Sequence, residues 1–251
     1  MVRRPAPVLT QRRRRPDRRA GPAAIALTVP LLALAYFLAA PALPALAAGD
    51  AAMLVAGGVG ILMIAATTLS LLPAHDTLIG PLLIVLGAGL VMGALNAAGV
   101  GAGANDAEAL VASAIGLLLA RWLRVSALAV TLPLLVALVD TWSVASGPSS
   151  RMFAGGTAID DPLSFDLPGW GGALSAGHLG LSDAVFLAMF AAWALHFGLR
   201  RVATITGLVL GLLASLVLGI ALDRAIPALP LLAAGYLLAN LDHVPRLLRG
   251  R

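Results

Sequence analysis

Hydrophobic runs of about 20 residues recur along nearly the whole chain, separated by short segments that contain Gly, Pro or charged residues. A run of that length matches a helix that crosses the hydrocarbon core of a bilayer, about 30 Å thick. The pattern therefore predicts an all-α, polytopic transmembrane helical bundle with about eight spans, over residues 23–40, 51–72, 78–98, 107–123, 125–145, 174–199, 202–222 and 226–241.

Arginine positions orient these spans, because loops on the cytoplasmic side of a membrane carry an excess of basic residues. With the N-terminal tail inside, the Arg pairs at 121–124 and 200–201 and the Arg residues after the last span fall on the inner side. The outer segments carry only Arg151 and Arg224. We expect a multi-pass protein of a bacterial plasma membrane with both termini in the cytoplasm. The bacterial assignment follows from the abundance of Ala and Arg and the lack of Lys.

Composition narrows the class further. The chain is 60% hydrophobic and 12% charged, whereas a soluble domain has about 25% charged residues. The net charge is +5, but residues 1–20 hold eight Arg and one Asp, a net of +7, which leaves −2 for the rest. The basic residues thus indicate contact with membrane lipids and no binding of nucleic acid. The absence of Cys excludes disulfides and thiolate chemistry.

Three regions follow from this pattern. Residues 1–21 form a disordered Arg-rich cytoplasmic tail, residues 22–123 the N-terminal transmembrane helices, and residues 124–251 the half that carries the candidate chemistry. An outer loop, residues 146–173, lies within the last of these. The Arg run with the first apolar run also resembles a signal peptide cleaved near residues 45–47, but the run is longer than secretory signals usually have, which favours an uncleaved first span.

Two acids interrupt consecutive apolar runs, Asp140 in the fifth and Asp183 in the sixth. A charged residue inside a membrane helix costs about 2.5–3.5 kcal/mol on insertion scales, so each acid is a candidate functional residue. The alternatives are a helix–helix hydrogen bond or an acid at the level of the headgroups. In the predicted topology Asp140 lies roughly 8 Å and Asp183 roughly 13 Å below the outer surface, on antiparallel helices that face each other.

Two carboxylates a few Å apart cannot both ionise, so they share one proton and divide the roles of acid and base. This chemistry cleaves peptide bonds without a metal or another cofactor. The last span begins with Pro227 and Pro230. Proline is common in the first turn of a helix, so these residues indicate a helix start, and the topology also places the segment at about the level of the acids.

Three short motifs occur in a fixed order: Val139-Asp140, then Gly180 to Asp183 (GLSD), then Pro227 to Leu229 (PAL). They resemble the YD, GxGD and PAL motifs of the presenilin and signal peptide peptidase family of intramembrane aspartyl proteases, and the resemblance covers about residues 130–242. It implies a presenilin-like bundle that cleaves transmembrane peptide or protein substrates with Asp140 and Asp183 as catalytic residues. It also implies that six neighbours bind substrate or shape the active site: Gly180, Leu181, Ser182, Pro227, Ala228 and Leu229.

The chain departs from the family pattern at two positions. Val139 replaces the Tyr of the first motif, and Ser182 replaces the second Gly of GxGD. Two other classes therefore stay open: a proton-coupled membrane transporter that uses the acids as a relay, and an inactive membrane scaffold. The predicted orientation resembles the signal peptide peptidase branch of the family.

The outer loop and two patterns of small residues also carry predictions. The outer loop is either a solvated connector with Trp170 at the membrane interface or, as the family resemblance implies, a segment that orders against an extended substrate. Small residues every four positions, Gly207, Gly211, Ser215 and Gly219, predict a close helix contact on the seventh span. Gly89, Gly93 and Ala97 predict a shorter contact of the same kind on the third span.

Overall fold

The computed structural model describes residues 20–46, 49–146, 164–171, 175–224 and 226–250. Residues 1–19 of the predicted tail, and most of the predicted outer loop, lie outside the described residues. The last two residues assigned to the tail, Ala20 and Gly21, belong to the first helix.

Helices dominate the described chain, as the hydropathy pattern predicts. In order, its α-helices and β-strands are α1 (Ala20–Ala39), α2 (Asp50–Ser70), α3 (Ile79–Ala97), α4 (Gly101–Trp122), α5 (Leu128–Ser146), β1 (Ser164–Leu167), β2 (Gly177–Gly180), α6 (Leu181–His196), α7 (Arg201–Leu222), α8 (Ala228–Ala239) and α9 (Val244–Leu248). Short 3-10 segments cover Ala40–Ala42, Leu72–Ala74 and Leu241–His243.

Each of the eight predicted spans overlaps one of the helices α1 to α8. Four helical segments of the described chain are long and apolar enough to cross a membrane: Asp50–Ala74, Ile79–Ala97, Leu128–Ser146 and Arg201–Leu222. Three other apolar segments are shorter: Leu27–Ala42, Leu181–His196 and Ala228–Ala239. These helices are compatible with a membrane protein, and the count of eight spans stays a prediction.

The predicted sixth span begins too early. Residues Gly177–Gly180 form a strand that pairs antiparallel with β1, and the helix begins only at Leu181. Gly177 has a φ of 134°, which a glycine adopts easily and which no helix contains. Phe165 and Leu179 face each other across the hairpin and are both buried. This apolar cross-strand pair stabilises the hairpin. The sequence of β2 alone is equally compatible with the start of an apolar helix, which is why the predicted span begins too early.

Helix α6 lies at the centre of the bundle. Its residues 187–194 are all buried, which is the pattern of a helix enclosed on every side. Helix α4 approaches it closely, because a Cβ on Gly116 would collide with the carbonyl oxygen of Val185. The indole N–H of Trp193 donates to the carbonyl oxygen of Ala120 on α4 at 3.2 Å. The helix that carries Asp183 is therefore fixed by its surroundings.

The contact between α7 and α8 uses two of the predicted small residues. A Cβ on Gly207 would lie 2.5 Å from the carbonyl oxygen of Gly235, and a Cβ on Gly211 would lie 2.6 Å from that of Leu231. The backbones of the two helices are therefore in direct contact, and the predicted packing is confirmed at these positions. Gly219 does not take part, since its nearest neighbour belongs to the turn that follows α7.

The predicted contact on α3 is wrong. Within the described residues, nothing apart from the neighbouring backbone of α3 lies within 4 Å of a Cβ built on Gly89 or on Gly93. Helix α3 packs chiefly against α4 and leaves large apolar side chains such as Leu83 and Leu90 exposed. An apolar helix that is covered on one side only suits a position at the edge of a bundle, in contact with lipid.

Ion pairs join the turns on the predicted inner side. Arg124 contacts the carboxylate of Asp76 at 3.2 Å, which connects the turn after α4 to the turn after α2. Arg200 contacts Asp242 at 2.9 Å, and its backbone N–H donates to the side-chain oxygen of Asn240 at 3.1 Å. Exposed pairs of this kind contribute at most about 1 kcal/mol each, so they order the turns more than they stabilise the fold.

Candidate active site

Asp183 lies in the first turn of α6, directly after β2. One of its carboxylate oxygens accepts a hydrogen bond at 3.0 Å from the backbone N–H of Gly180, the N-cap residue of the helix. An acid at this position caps the helix and is favoured by the helix dipole. The side chain is only 6% exposed. The expected position, nine residues into a helix, is wrong because α6 begins at Leu181.

Asp140 lies near the end of α5 and is half-buried. Its carboxylate accepts a hydrogen bond at 3.1 Å from the backbone N–H of Leu229, in the first turn of α8. Pro227 is the N-cap residue of α8, and Ala228 and Leu229 after it are buried. First-turn N–H groups have no partner within their own helix, so the start of α8 offers a donor to Asp140. This is a helix–helix hydrogen bond, one of the alternatives that the sequence leaves open.

The two acids lie on helices that have little direct contact with each other. Helix α8 links the two acids: its first turn donates a hydrogen bond to Asp140, and the same helix contacts α6, whose first turn carries Asp183. Helices α5 and α6 nevertheless barely touch: α5 packs chiefly against α8, and α6 against α4. The first turn of α8 supplies the contact that holds Asp140. The expected pair of adjacent, facing helices is thus replaced by two helices with little direct contact.

The rest of the GLSD segment surrounds the start of α6. Gly180 and Leu181 are half-buried, and Ser182 is exposed. A Cβ on Gly180 would lie 3.1 Å from a carboxylate oxygen of Asp183, which explains why the smallest residue suits this position. Val139, which precedes the other acid, is also exposed, so neither departure from the family motifs falls on a buried side chain.

A second buried acid, Asp106 on α4, was not predicted. It is 3% exposed and accepts a hydrogen bond at 3.1 Å from the hydroxyl of Thr67 on α2. Further along the same interface, the hydroxyl of Ser113 donates to that of Thr68 at 2.8 Å. The predicted fourth span begins at residue 107, one residue after Asp106. The adjacent threonines within the apolar second run are the sequence signal that indicates its partners.

Polar contacts also hold the hairpin against the bundle. The side-chain amide of Asn105 donates to the carbonyl oxygen of Asp166 at 2.8 Å, and Asp166 pairs with His178 across the strands at 2.6 Å. The indole of Trp170 donates to the hydroxyl of Tyr36 on α1 at 3.2 Å. Trp170 is partly buried against the core, and its expected position at the membrane interface stays a prediction.

Within the described residues, no group of three or more His, Cys, Asp or Glu side chains is arranged to hold a metal ion. Comparison of the chain with protein-family models, with curated proteins and with solved structures finds no match. The resemblance to the presenilin and signal peptide peptidase family therefore rests on the three sequence motifs and stays a prediction.

Proposed function

We propose that the chain is an intramembrane aspartyl protease that hydrolyses peptide bonds of transmembrane peptide or protein substrates. Asp140 and Asp183 form its acid–base pair. The observation that carries the proposal is that α8 connects the two acids: its first turn donates a hydrogen bond to Asp140, and the same helix contacts α6, which begins beside Asp183. A helix–helix hydrogen bond explains Asp140, and a helix cap explains Asp183. Neither role explains why two acids are kept at helix starts inside an apolar bundle, where a carboxylate is costly.

A shared proton gives the pair two complementary roles. The ionised carboxyl takes a proton from a water molecule while the water oxygen attacks the carbonyl carbon of the substrate. The protonated carboxyl gives its proton to the amide nitrogen as the carbon–nitrogen bond breaks. The backbone N–H groups of Leu229 and Gly180 each hold one carboxylate oxygen, so both acids are oriented by helix starts. This chemistry requires no cofactor.

The proposed setting is a bacterial plasma membrane, crossed by about eight spans with both termini in the cytoplasm. Four long apolar helices and the exposed apolar side of α3 support contact with lipid. The Arg residues of the turns after α4 and α6 support the orientation through the positive-inside rule. The bundle would then be similar to that of presenilin, and its orientation to that of signal peptide peptidase.

The test compares Asp140→Asn and Asp183→Asn with the wild type on a panel of single-span substrates, with products identified by mass spectrometry. Each Asn variant should be folded but inactive, because an amide fills neither the acid nor the base role. Asp223→Asn is the matched control. Asp223 is exposed and has a φ of 47°, which Asn tolerates well, so cleavage should be unchanged. Wild-type activity should be bell-shaped with pH, a property of the coupled pair.

Cleavage by both Asn variants at the wild-type rate would refute the protease. In that case proton uptake by vesicles that contain the protein would be measured. Proton-driven solute transport that both Asn substitutions abolish would support the transporter. No cleavage and no transport by the wild type would leave the inactive scaffold.

A further inference from the structure

Tyr236 on α8 carries a polar atom that nothing in the described part of the chain satisfies. Its side chain is 1% exposed, and its hydroxyl has no hydrogen-bond partner there. The hydroxyl of the other tyrosine, Tyr36, donates to the carbonyl oxygen of Ala56 and accepts from the indole of Trp170. An unpaired buried hydroxyl costs free energy, and native structures contain few of them. A role in binding explains why the hydroxyl is kept.

The position of Tyr236 connects it to the two acids. Tyr236 follows Leu229 by seven residues on α8, and Phe190 follows Asp183 by seven residues on α6. Seven residues make about two helical turns, so each ring shares a helix face with the site residue, about 10 Å along the axis. The rings of Tyr236 and Phe190 pack with their centroids 5.0 Å apart. The phenol therefore lies at the contact between α6 and α8, two turns from the carboxylates.

The polar groups near Tyr236 have other partners. The indole of Trp193 donates to the carbonyl oxygen of Ala120. The side-chain amide of Asn240 donates to the hydroxyl of Thr204 and to the backbone oxygen of Tyr236. None of these bonds involves the phenol. Helix α8 packs chiefly against α7 and α5 and only lightly against α6, so its side towards α6 is the one that separates most easily to admit a ligand.

We propose that the hydroxyl of Tyr236 donates a hydrogen bond to a backbone carbonyl of the peptide substrate, about three residues from the bond that is cut. The inference rests on the proposed function and specifies one part of its substrate site. A substrate must be extended at the scissile bond, and an extended chain advances about 3.3 Å per residue, so about 10 Å corresponds to three residues. A carbonyl freed from a helix in apolar surroundings needs a donor. The ligand is thus an extended apolar peptide segment.

The test uses Tyr236→Phe in the full chain, with a synthetic apolar peptide in which a statine unit replaces the scissile dipeptide. Without peptide, the Tm of the variant should equal or exceed that of the wild type, because no existing hydrogen bond is lost. With peptide, its Kd should rise about two- to tenfold, the effect of one hydrogen bond. In a series of peptides, an ester replaces one amide bond at a time and so weakens one carbonyl as an acceptor. In one peptide of the series the weakened carbonyl should be the partner of Tyr236, and wild type and variant should bind that peptide with equal Kd.

Tyr36→Phe is the matched control. It removes the same atom from a hydroxyl with two partners, so it should lower the Tm and leave the Kd for the peptide unchanged.

Three results would overturn the inference. A lower Tm of Tyr236→Phe without peptide would mean that the hydroxyl already has a partner inside the protein. An unchanged Kd, or no binding of the peptide to the wild type, would mean that Tyr236 binds no peptide carbonyl. Cleavage decides the proposed function separately. Suppose that the wild type binds the peptide with an affinity that depends on Tyr236 but cuts no substrate. The peptide site would then stand, and the proposed protease function would be refuted.

Discussion

Replacement of Gly235 by Ala tests how α8, which carries Leu229, is held in the bundle. A Cβ on Gly235 would collide with the carbonyl oxygen of Gly207. The obstructing atom belongs to the backbone, so it cannot rotate away, and the two helices must move apart. Overpacking of this kind costs about 1–3 kcal/mol, while the better helix propensity of Ala returns only about 0.5–1 kcal/mol. We expect a net loss of about 1–2 kcal/mol, which lowers the Tm by roughly 2–8 °C.

The same substitution at Gly93 is the control, because a Cβ there meets no atom within 4 Å. Gly93→Ala should leave the Tm unchanged or raise it slightly. Both variants are compared with the wild type by thermal unfolding in one detergent. Gly235→Ala should also reduce cleavage at temperatures where it is still folded, since a displaced α8 moves the Leu229 N–H away from Asp140. Equal Tm values for the two Ala variants would refute the contact between α7 and α8.

Three further predictions concern the buried acid, the topology and the second motif. Asp106→Leu should destabilise the protein by about 1–3 kcal/mol, because the Thr67 hydroxyl loses its buried acceptor. Asp106→Asn keeps an acceptor for the Thr67 hydroxyl and should lose less stability in thermal unfolding than Asp106→Leu. Equal losses of stability in the two variants would count against a role for this hydrogen bond. In this chain without native Cys, an impermeant thiol reagent should label Arg224→Cys from outside and Arg249→Cys only from the cytoplasm; the reverse pattern would invert the topology. Ser182→Gly should keep or increase cleavage in the substrate assay, since it restores the family motif at an exposed position, and lost activity would show that the hydroxyl is required.

Hydropathy was sufficient to locate the helices, but it failed at the ends of two of them. The sixth predicted span includes β2, because its apolar residues do not distinguish a short buried strand from a helix. The fourth begins too late, because Asn105 and Asp106 read as polar flanks. Their hydrogen-bond partners, Asp166 and Thr67, lie 61 and 39 residues away in the sequence. No local pattern contains that information.

The candidate site was accessible from the sequence only in part. The order of the motifs singled out both acids and the Pro227–Leu229 segment. It did not indicate which backbone group each carboxylate meets, since the bond from Leu229 to Asp140 joins positions 89 residues apart. Nor did it indicate that α5 and α6 would barely touch. That arrangement depends on the packing of α4 and α8, which is a property of the whole bundle.

Strand β2 runs into α6 without an intervening residue, so the pairing of the hairpin also fixes the direction in which Asp183 points. Ser164 pairs with Gly180 in this register, and a shift by one residue would exchange the two faces of the strand. An insertion before Ser164 leaves the register intact. One residue added between Gly180 and Asp183 would turn the carboxylate by about 100° around the helix axis. Changes in chain length are therefore tolerated on the N-terminal side of the hairpin and excluded on the side that leads into α6.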